Sequence, residues 1–143
     1  MGEQIKSRKR VKDYAEVFTN EREVKAMCDL IPSDVWENIE STFLEPAVGE
    51  GVFLIEILKR KFKLCKTAKD GLKALASVYG IDIQADNCDI TRKNLLKLYM
   101  EHFPNATELS ILMASGILAN NIICGDSLKI MKEWENSNES NND

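Results

Sequence analysis

The sequence predicts an α/β fold built on a parallel sheet of about three strands. Three short segments rich in apolar and β-branched residues, at 42–45, 77–83 and 121–124, alternate with segments whose apolar residues recur at helical spacing. Strands separated by helices in this way are joined by right-handed crossovers, so that neighbouring strands are parallel. With 143 residues, the chain can form one domain with a core of ordinary size.

A helical prelude is predicted before the first strand. Asn20 is followed three residues later by Glu23, which is the pattern of a capping box, and helical spacing then continues to Pro32. A second short helix is expected to start at Ser33. Both helices should pack against one face of the sheet.

The other predicted helices lie between and after the strands, so that both faces of the sheet carry helices. They begin near Gly51, Lys66, Asp86 and Glu108, and a last helix follows the third strand and runs through Trp134. Asp86 is the predicted cap of its helix, because an aspartate oxygen can accept hydrogen bonds from the free amides of a first turn.

The chain divides by composition into an arm, a domain and a tail. Residues 1–13 form a basic arm that has five cations within 6–12, residues 14–134 form the domain, and residues 135–143 are rich in Asn, Ser and Glu. The tail is predicted to be disordered. The arm could contact nucleic-acid phosphates or stay solvated, whereas the formal net charge of −4 argues against a surface that binds nucleic acid as a whole.

The composition also limits the location of the protein and the kinds of site it can hold. No apolar run approaches the ~18 residues of a membrane span, and the first residues are polar, unlike a signal segment. The four cysteines form no C-x-x-C pair and are predicted to be buried reduced thiols, and the single histidine has no partner at metal-ligand spacing. We therefore expect a cytoplasmic protein with no membrane association and no metal site.

The residues suited to ligand binding follow the three predicted strands. The turn at 45–51 contains Gly49 and Gly51, which permit positive φ angles and a close approach of the backbone to a ligand. Asp82 follows the second strand, where a carboxylate can accept from both hydroxyls of a ribose, and Asp126 follows the third, where it could accept from the amino group of a purine.

The charges in the turn favour a ligand without phosphates. Glu45 and Glu50 would repel a pyrophosphate, and Leu54 stands where the dinucleotide-binding pattern G-x-G-x-x-G has its third glycine. Two carboxylates suit a ligand with a cationic or amino end, such as S-adenosylmethionine.

Four segments resemble motifs of adenine-specific DNA methyltransferases of restriction-modification systems. The first motif of that family has the form (D/E)-P-A-x-G-x-G-x-F-L, which FLEPAVGEGVFLIEIL resembles. The resemblance extends over about residues 10–134 and implies a Rossmann-like class I methyltransferase half-fold that binds S-adenosylmethionine. The other three segments are YAEVFTNEREVKAM at 14–27, VYGIDIQ at 78–84 and IICGDSL at 122–128.

The resemblance also implies which residues contact the cofactor. Asp82 would hold the ribose hydroxyls, Ile83 would pack on the adenine ring, and Asp126, with Ser127 beside it, would accept from the adenine amino group. Two residues would meet the methionine end, and five would form the turn beneath it. These are Phe18 and Thr19, and then Glu45, Pro46, Ala47, Gly49 and Gly51.

The catalytic motif of this family is absent from the sequence. Its form is (N/D)-P-P-(Y/F), and the three prolines of this chain include no Pro-Pro pair. The sequence therefore predicts the cofactor-binding region of an adenine-specific DNA methyltransferase, inactive by itself and without a catalytic residue. It would meet DNA through the complete enzyme or a partner chain.

Two alternatives remain open from the sequence. The chain could be a non-catalytic methyltransferase-like module that associates with a partner chain or a second copy through an exposed sheet edge. It could also be a fragment of an RNA or small-molecule methyltransferase, because cofactor motifs do not specify the methyl acceptor.

Overall fold

The computed structural model describes residues 21–142, and the side chains of residues 21–139. Phe18, Thr19, the proposed cap Asn20 and the basic arm lie outside the described residues. The elements in chain order are α1 (Glu21–Asp29), α2 (Ser33–Glu37), β1 (Phe43–Glu45), α3 (Val52–Leu64), α4 (Ala68–Ala76), β2 (Val78–Asp82), α5 (Ala85–His102), α6 (Glu108–Asn121), β3 (Ile122–Cys124) and α7 (Ser127–Asn142).

The three strands form one parallel sheet in the order β1-β2-β3. Phe43 is opposite Val78, and Gly80 is opposite Ile122. The predicted α/β class and parallel sheet are confirmed. The sheet with its flanking helices is compatible with a Rossmann-like fold.

The two faces of the sheet are covered differently. Val78 and Ile122 point to one face and are fully buried in a core shared with α3 and α5. Tyr79 points to the other face and meets Trp134 of α7 edge to face, with ring centroids 6.2 Å apart. A groove of about 540 Å³ remains on this second face. Its lining residues are Thr42, Leu44, Tyr79, Asn120, Ile123 and Trp134.

A buried lysine joins the amino ends of β1 and β2. The side chain of Lys61 is fully buried, and its Nζ donates to the carbonyl of Ile39 at 3.0 Å and to the Oγ of Ser77 at 2.6 Å. It also donates to the carbonyl of Ser41 and lies 4.9 Å from the ring centroid of Phe43. Burial lowers the pKa of Lys61 to about 8.

The outer edges of the sheet differ in their hydrogen bonding. The amide of Gly125 donates to the carbonyl of Asp82, so the backbone groups of Gly125 face β2. Because backbone groups alternate along a strand, the carbonyl of Ile122 faces the outer side of β3. On that side it accepts from the guanidinium of Arg92. The amide of Phe43 donates to the carbonyl of Ser77, the residue before β2, so that the backbone groups of Leu44 face the outer side of β1. Within residues 21–142, no strand lies on that side.

Three local predictions differ from the structure. Asp86 is not the N-cap of α5: the N-cap is Gln84, whose amide donates to the carboxylate of Asp82, and Asp86 lies in the first turn, where its Oδ1 accepts from the Asn87 amide at 3.0 Å. Residues from 135 onward were predicted to be disordered. In the structure α7 extends through them to Asn142, and Ile130 and Trp134 lie in its earlier turns. All four cysteines are free thiols, but Cys65 is half-buried and Cys124 is exposed rather than buried.

The described part of the chain contains no helix that could span a membrane. Over the same residues, no group of three or more His, Cys, Asp or Glu side chains could hold a metal ion.

Candidate functional site

The turn after β1 depends on two glycines. Gly49 has a φ of 57° and Gly51 a φ of 91°, both in the left-handed region that residues with a side chain rarely adopt. A Cβ on Gly51 would lie 3.0 Å from the Cγ2 of Thr91, so that α5 also leaves little room for a side chain there. The turn thus needs glycine at position 51 for both reasons.

Asp82 joins the end of β2 to this turn. Its Oδ2 accepts from the Gly49 amide at 3.0 Å. Its Oδ1 accepts from the Gln84 amide at 2.8 Å and from the Nδ2 of Asn87 at 3.2 Å. The residue is 5% exposed. A carboxylate has about four acceptor positions. In Asp82 these bonds within the protein use three of them, which leaves about one.

Asp126 is at the start of α7 and caps that helix. Its Oδ1 accepts from the amide of Leu128 at 3.0 Å, and the side chain is exposed. Asp126 therefore serves as the N-cap of α7. Capping uses Oδ1, which leaves acceptor capacity on Oδ2.

One cavity brings together six of the residues that the sequence singled out. It has a volume of about 270 Å³ and lies at the carboxyl ends of the strands. Ile83 is 68% exposed on its wall, although isoleucine is usually buried. The lining residues are Pro46, Ala47, Asp82, Ile83, Gly125, Asp126 and Ser127, of which Gly125 was not singled out.

Glu45 is in the turn but does not line this cavity. It lines a neighbouring cavity of about 200 Å³ between α1 and β1, together with Met27 and Phe53. Its Oε1 accepts from the Ala47 amide at 3.1 Å. Burial raises the pKa of Glu45, and the Ala47 amide partly offsets this by stabilising the carboxylate.

Sequence reasoning missed three polar residues of α5 that hold the turn. The Oγ1 of Thr91 donates to the carbonyl of Gly49 at 2.7 Å, and the Nδ2 of Asn94 donates to the carbonyl of Glu50 at 3.1 Å. Asn87 contacts Asp82 as described above. The signal was present in the sequence, since positions 87, 91 and 94 share one face of a helix.

Comparison with known proteins gives one informative relative. The chain is 36% identical over 83 residues to the Type II methyltransferase M.VspI of Vibrio sp. (strain 343). This match supports a methyltransferase relationship. It covers 57% of this chain and 17% of that protein, so that the chain spans a small part of the relative's length. No protein-family model and no solved structure matches the chain.

A methyltransferase relationship implies use of S-adenosylmethionine in general. The side chains of the cavity fit the adenosine part of that molecule: Asp82 and Asp126 are acceptors for hydroxyl and amino groups, and exposed Ile83 offers an apolar surface to a ring. Among the residues that the structure describes, the lining includes no lysine or arginine, in keeping with a ligand that has no phosphate.

Proposed function

We propose that this chain is the S-adenosylmethionine-binding region of an adenine-specific DNA methyltransferase. The observation that carries the proposal is the cavity at the carboxyl ends of the strands, because residues from three separate motifs meet there. Ligands of open parallel sheets bind at this place. The similarity to a type II methyltransferase favours methyl transfer over other nucleoside chemistry.

Each part of the cofactor has a counterpart in the proposed site. Ile83 packs on the adenine ring, Asp126 accepts from the adenine amino group, and Asp82 accepts from the ribose hydroxyls. The turn from Pro46 to Gly51 lies beneath the methionine part, and Glu45, which lines the neighbouring cavity, offsets the charge of the amino group from there. The cofactor supplies the methyl group and its positive sulfur.

The residues of this chain bind and orient the cofactor and do not themselves transfer the methyl group. The adenine and DNA specificity rests on the resemblance of the motifs, and the sequence contains no (N/D)-P-P-(Y/F) segment to hold an adenine. We therefore expect cofactor binding without turnover by this chain, and DNA contact through the complete enzyme or a partner chain.

Calorimetric titration with S-adenosylhomocysteine tests the binding. We expect saturable binding to the folded chain and its loss in Ile83→Glu, which places a carboxylate on the cavity wall. Leu109→Glu is a matched control, since Leu109 is 66% exposed on α6 and does not line the cavity. Absence of binding by a folded wild-type sample, or equal binding by both variants, would contradict the proposal.

A chimera tests the role in methyl transfer. The matching 83-residue segment of the Vibrio methyltransferase is replaced by the corresponding residues of this chain. The chimera should retain methyl transfer, and the same chimera with Ile83→Glu should lose it. A folded chimera that binds no cofactor would overturn the assignment.

The open edge of β1 favours a second candidate, a module that pairs with a partner chain. The outward backbone groups of Leu44 could receive a further strand, and the groove beside them could receive an apolar side chain. The edge at β3 is less suited, because Arg92 occupies the carbonyl of Ile122.

Light scattering after gel filtration distinguishes the two candidates. An association module should be a dimer, or should join a strand-bearing partner, and Leu44→Lys should weaken this association. A strict monomer that binds S-adenosylhomocysteine tightly counts against the second candidate.

A further inference from the structure

Three polar residues of α5 contact both parts of the candidate site. We define the α5 polar stripe as Asn87, Thr91 and Asn94, which follow one another at helical spacing on the face of α5 towards the turn. Thr91 and Asn94 donate to consecutive carbonyls of the turn, those of Gly49 and Glu50. Asn87 donates to Asp82, which itself accepts from the Gly49 amide.

Burial makes these contacts specific. Thr91 is fully buried and Asn87 is 7% exposed. A polar side chain at such a position destabilises the fold unless it is hydrogen-bonded, so that the partners of Thr91 and Asn87 are fixed in the native state. Both backbone groups of Gly49 are thereby held, its carbonyl by Thr91 and its amide by Asp82.

We propose that the α5 polar stripe consists of positioning residues for the cofactor turn. It holds the left-handed conformations of Gly49 and Gly51 and keeps Asp82 against the turn before any ligand binds. Its importance for binding rests on the proposed function, whereas its effect on the turn does not. None of the three residues lines the cavity, so that they act through the backbone of the turn and through Asp82.

Thr91 meets two requirements at once. Its hydroxyl reaches the carbonyl of Gly49, and its methyl group fills the space beside Gly51. Thr91→Val keeps the shape of the side chain and removes the hydroxyl, whereas Thr91→Ser keeps the hydroxyl and removes the methyl group. These two variants separate the hydrogen bond from the packing.

Amide hydrogen exchange in the ligand-free chain tests the effect on the turn. The amides of Gly49 and Gly51 are hydrogen-bonded to Asp82 and to the carbonyl of Val48, so that their exchange reports on the order of the turn. Thr91→Val should raise their exchange rates about tenfold, the effect of losing one buried hydrogen bond. Thr91→Ser should return them to near the wild-type rates.

Titration with S-adenosylhomocysteine then tests the consequence for binding. Thr91→Val should raise the Kd about tenfold, because part of the binding free energy must then order the turn, and Thr91→Ser should restore it. Thr107→Val is the control: it removes a hydroxyl that caps α6 by accepting from the Ser110 amide. This control should lower the Tm and leave both readouts unchanged.

The outcomes separate the two proposals. Wild-type exchange rates at Gly49 and Gly51 in Thr91→Val would overturn the positioning role, whatever the chain binds. Absence of binding by the wild type would overturn the proposed function, while the exchange rates still decide the role of the stripe. If Thr91→Val does not fold, Asn94→Ala takes its place in the test, because Asn94 is only half-buried. Exchange of the Gly51 amide that is about threefold faster in this variant supports the proposal, and an unchanged rate contradicts it.

Discussion

The amide of Gly49 donates a hydrogen bond of 3.0 Å to the carboxylate of Asp82, across 33 positions of sequence. This bond connects the turn after β1 with the end of β2, the two places where the sequence predicts cofactor contacts. It uses one acceptor position of Oδ2 and leaves the other, which in the proposed function accepts from a ribose hydroxyl. The bond to Gly49 can therefore persist when the proposed ligand binds.

Replacement of Asp82 by asparagine should affect both stability and binding. The new amide nitrogen would face backbone N–H donors, and Asp82→Asn should lower the free energy of unfolding by about 1–3 kcal/mol. Affinity for S-adenosylhomocysteine should also fall. Urea denaturation and calorimetry measure the two effects. Asp126→Asn is the control for stability, since asparagine caps helices as well as aspartate does; equal stability of both variants would show that the Gly49 bond contributes little.

Two glycines allow a matched comparison of backbone conformation. Gly51→Ala should lower the free energy of unfolding by about 1–3 kcal/mol, because of its positive φ and the nearby Thr91. Gly116→Ala should raise it by about 0.5–1 kcal/mol, since this glycine lies inside α6 with nothing within 4 Å of an added Cβ. Thermal denaturation of the two variants gives the comparison, and a loss of equal size in both would refute the conformational argument.

Cofactor affinity should depend on pH through Glu45. Burial raises the pKa of Glu45, so that it takes up a proton at higher pH than an exposed glutamate does. Protonation removes a negative charge near the proposed position of the ligand's amino group. Affinity for S-adenosylhomocysteine should therefore fall as the pH is lowered from neutral into the acid range, and Glu45→Gln should flatten this dependence. Parallel pH profiles for the two proteins would exclude a role of Glu45 in binding.

Stability at alkaline pH should report on Lys61. Its pKa is about 8 in the folded protein and close to 10.5 when unfolded, so that between these values the unfolded chain binds more protons. The contribution of Lys61 to the free energy of unfolding therefore rises with pH in this window, by at most about 1.4 kcal/mol per pH unit. Lys61→Met should be less stable at pH 7, by about 3 kcal/mol, because its carbonyl partners lose their donor.

The difference in unfolding free energy between wild type and Lys61→Met isolates the contribution of this lysine to the pH dependence of stability. Burial raises the pKa of Cys65 and of Cys88 to about 11, so that these thiols lower stability above pH 9 in both proteins. The advantage of the wild type over the variant should grow from pH 8 to pH 10. A constant difference across that range would mean that Lys61 keeps an ordinary pKa.

Local patterns were sufficient to predict most of the elements. The run at 77–83 and the short run at 121–124 became β2 and β3, because buried parallel strands need continuous apolar residues. The start of α5 was predicted wrongly because two aspartates act there: Asp82 accepts from the amide of the N-cap Gln84, whereas Asp86 accepts from the Asn87 amide inside the first turn. Composition alone cannot assign these two roles.

The site was predictable where it follows the ends of the strands, and less so elsewhere. Asp82, Ile83 and Asp126 meet at one cavity because parallel strands end at the same side of a sheet. The contact between Thr91 and Gly49 spans 42 positions, and no local pattern specifies its partner. The orientation of Glu45 towards a second cavity likewise depends on α1, which packs beside β1.

The contact between Arg92 and the carbonyl of Ile122 limits how this small sheet could polymerise. Chains that stack edge to edge form open-ended fibres only if both outer strands are free to pair. In the part of the chain that the structure describes, a guanidinium holds the carbonyl of Ile122 on the outer side of β3, whereas no strand covers the outer side of β1. Arg92 thus makes pairing through β3 less favourable than pairing through β1, which disfavours open-ended stacking of copies.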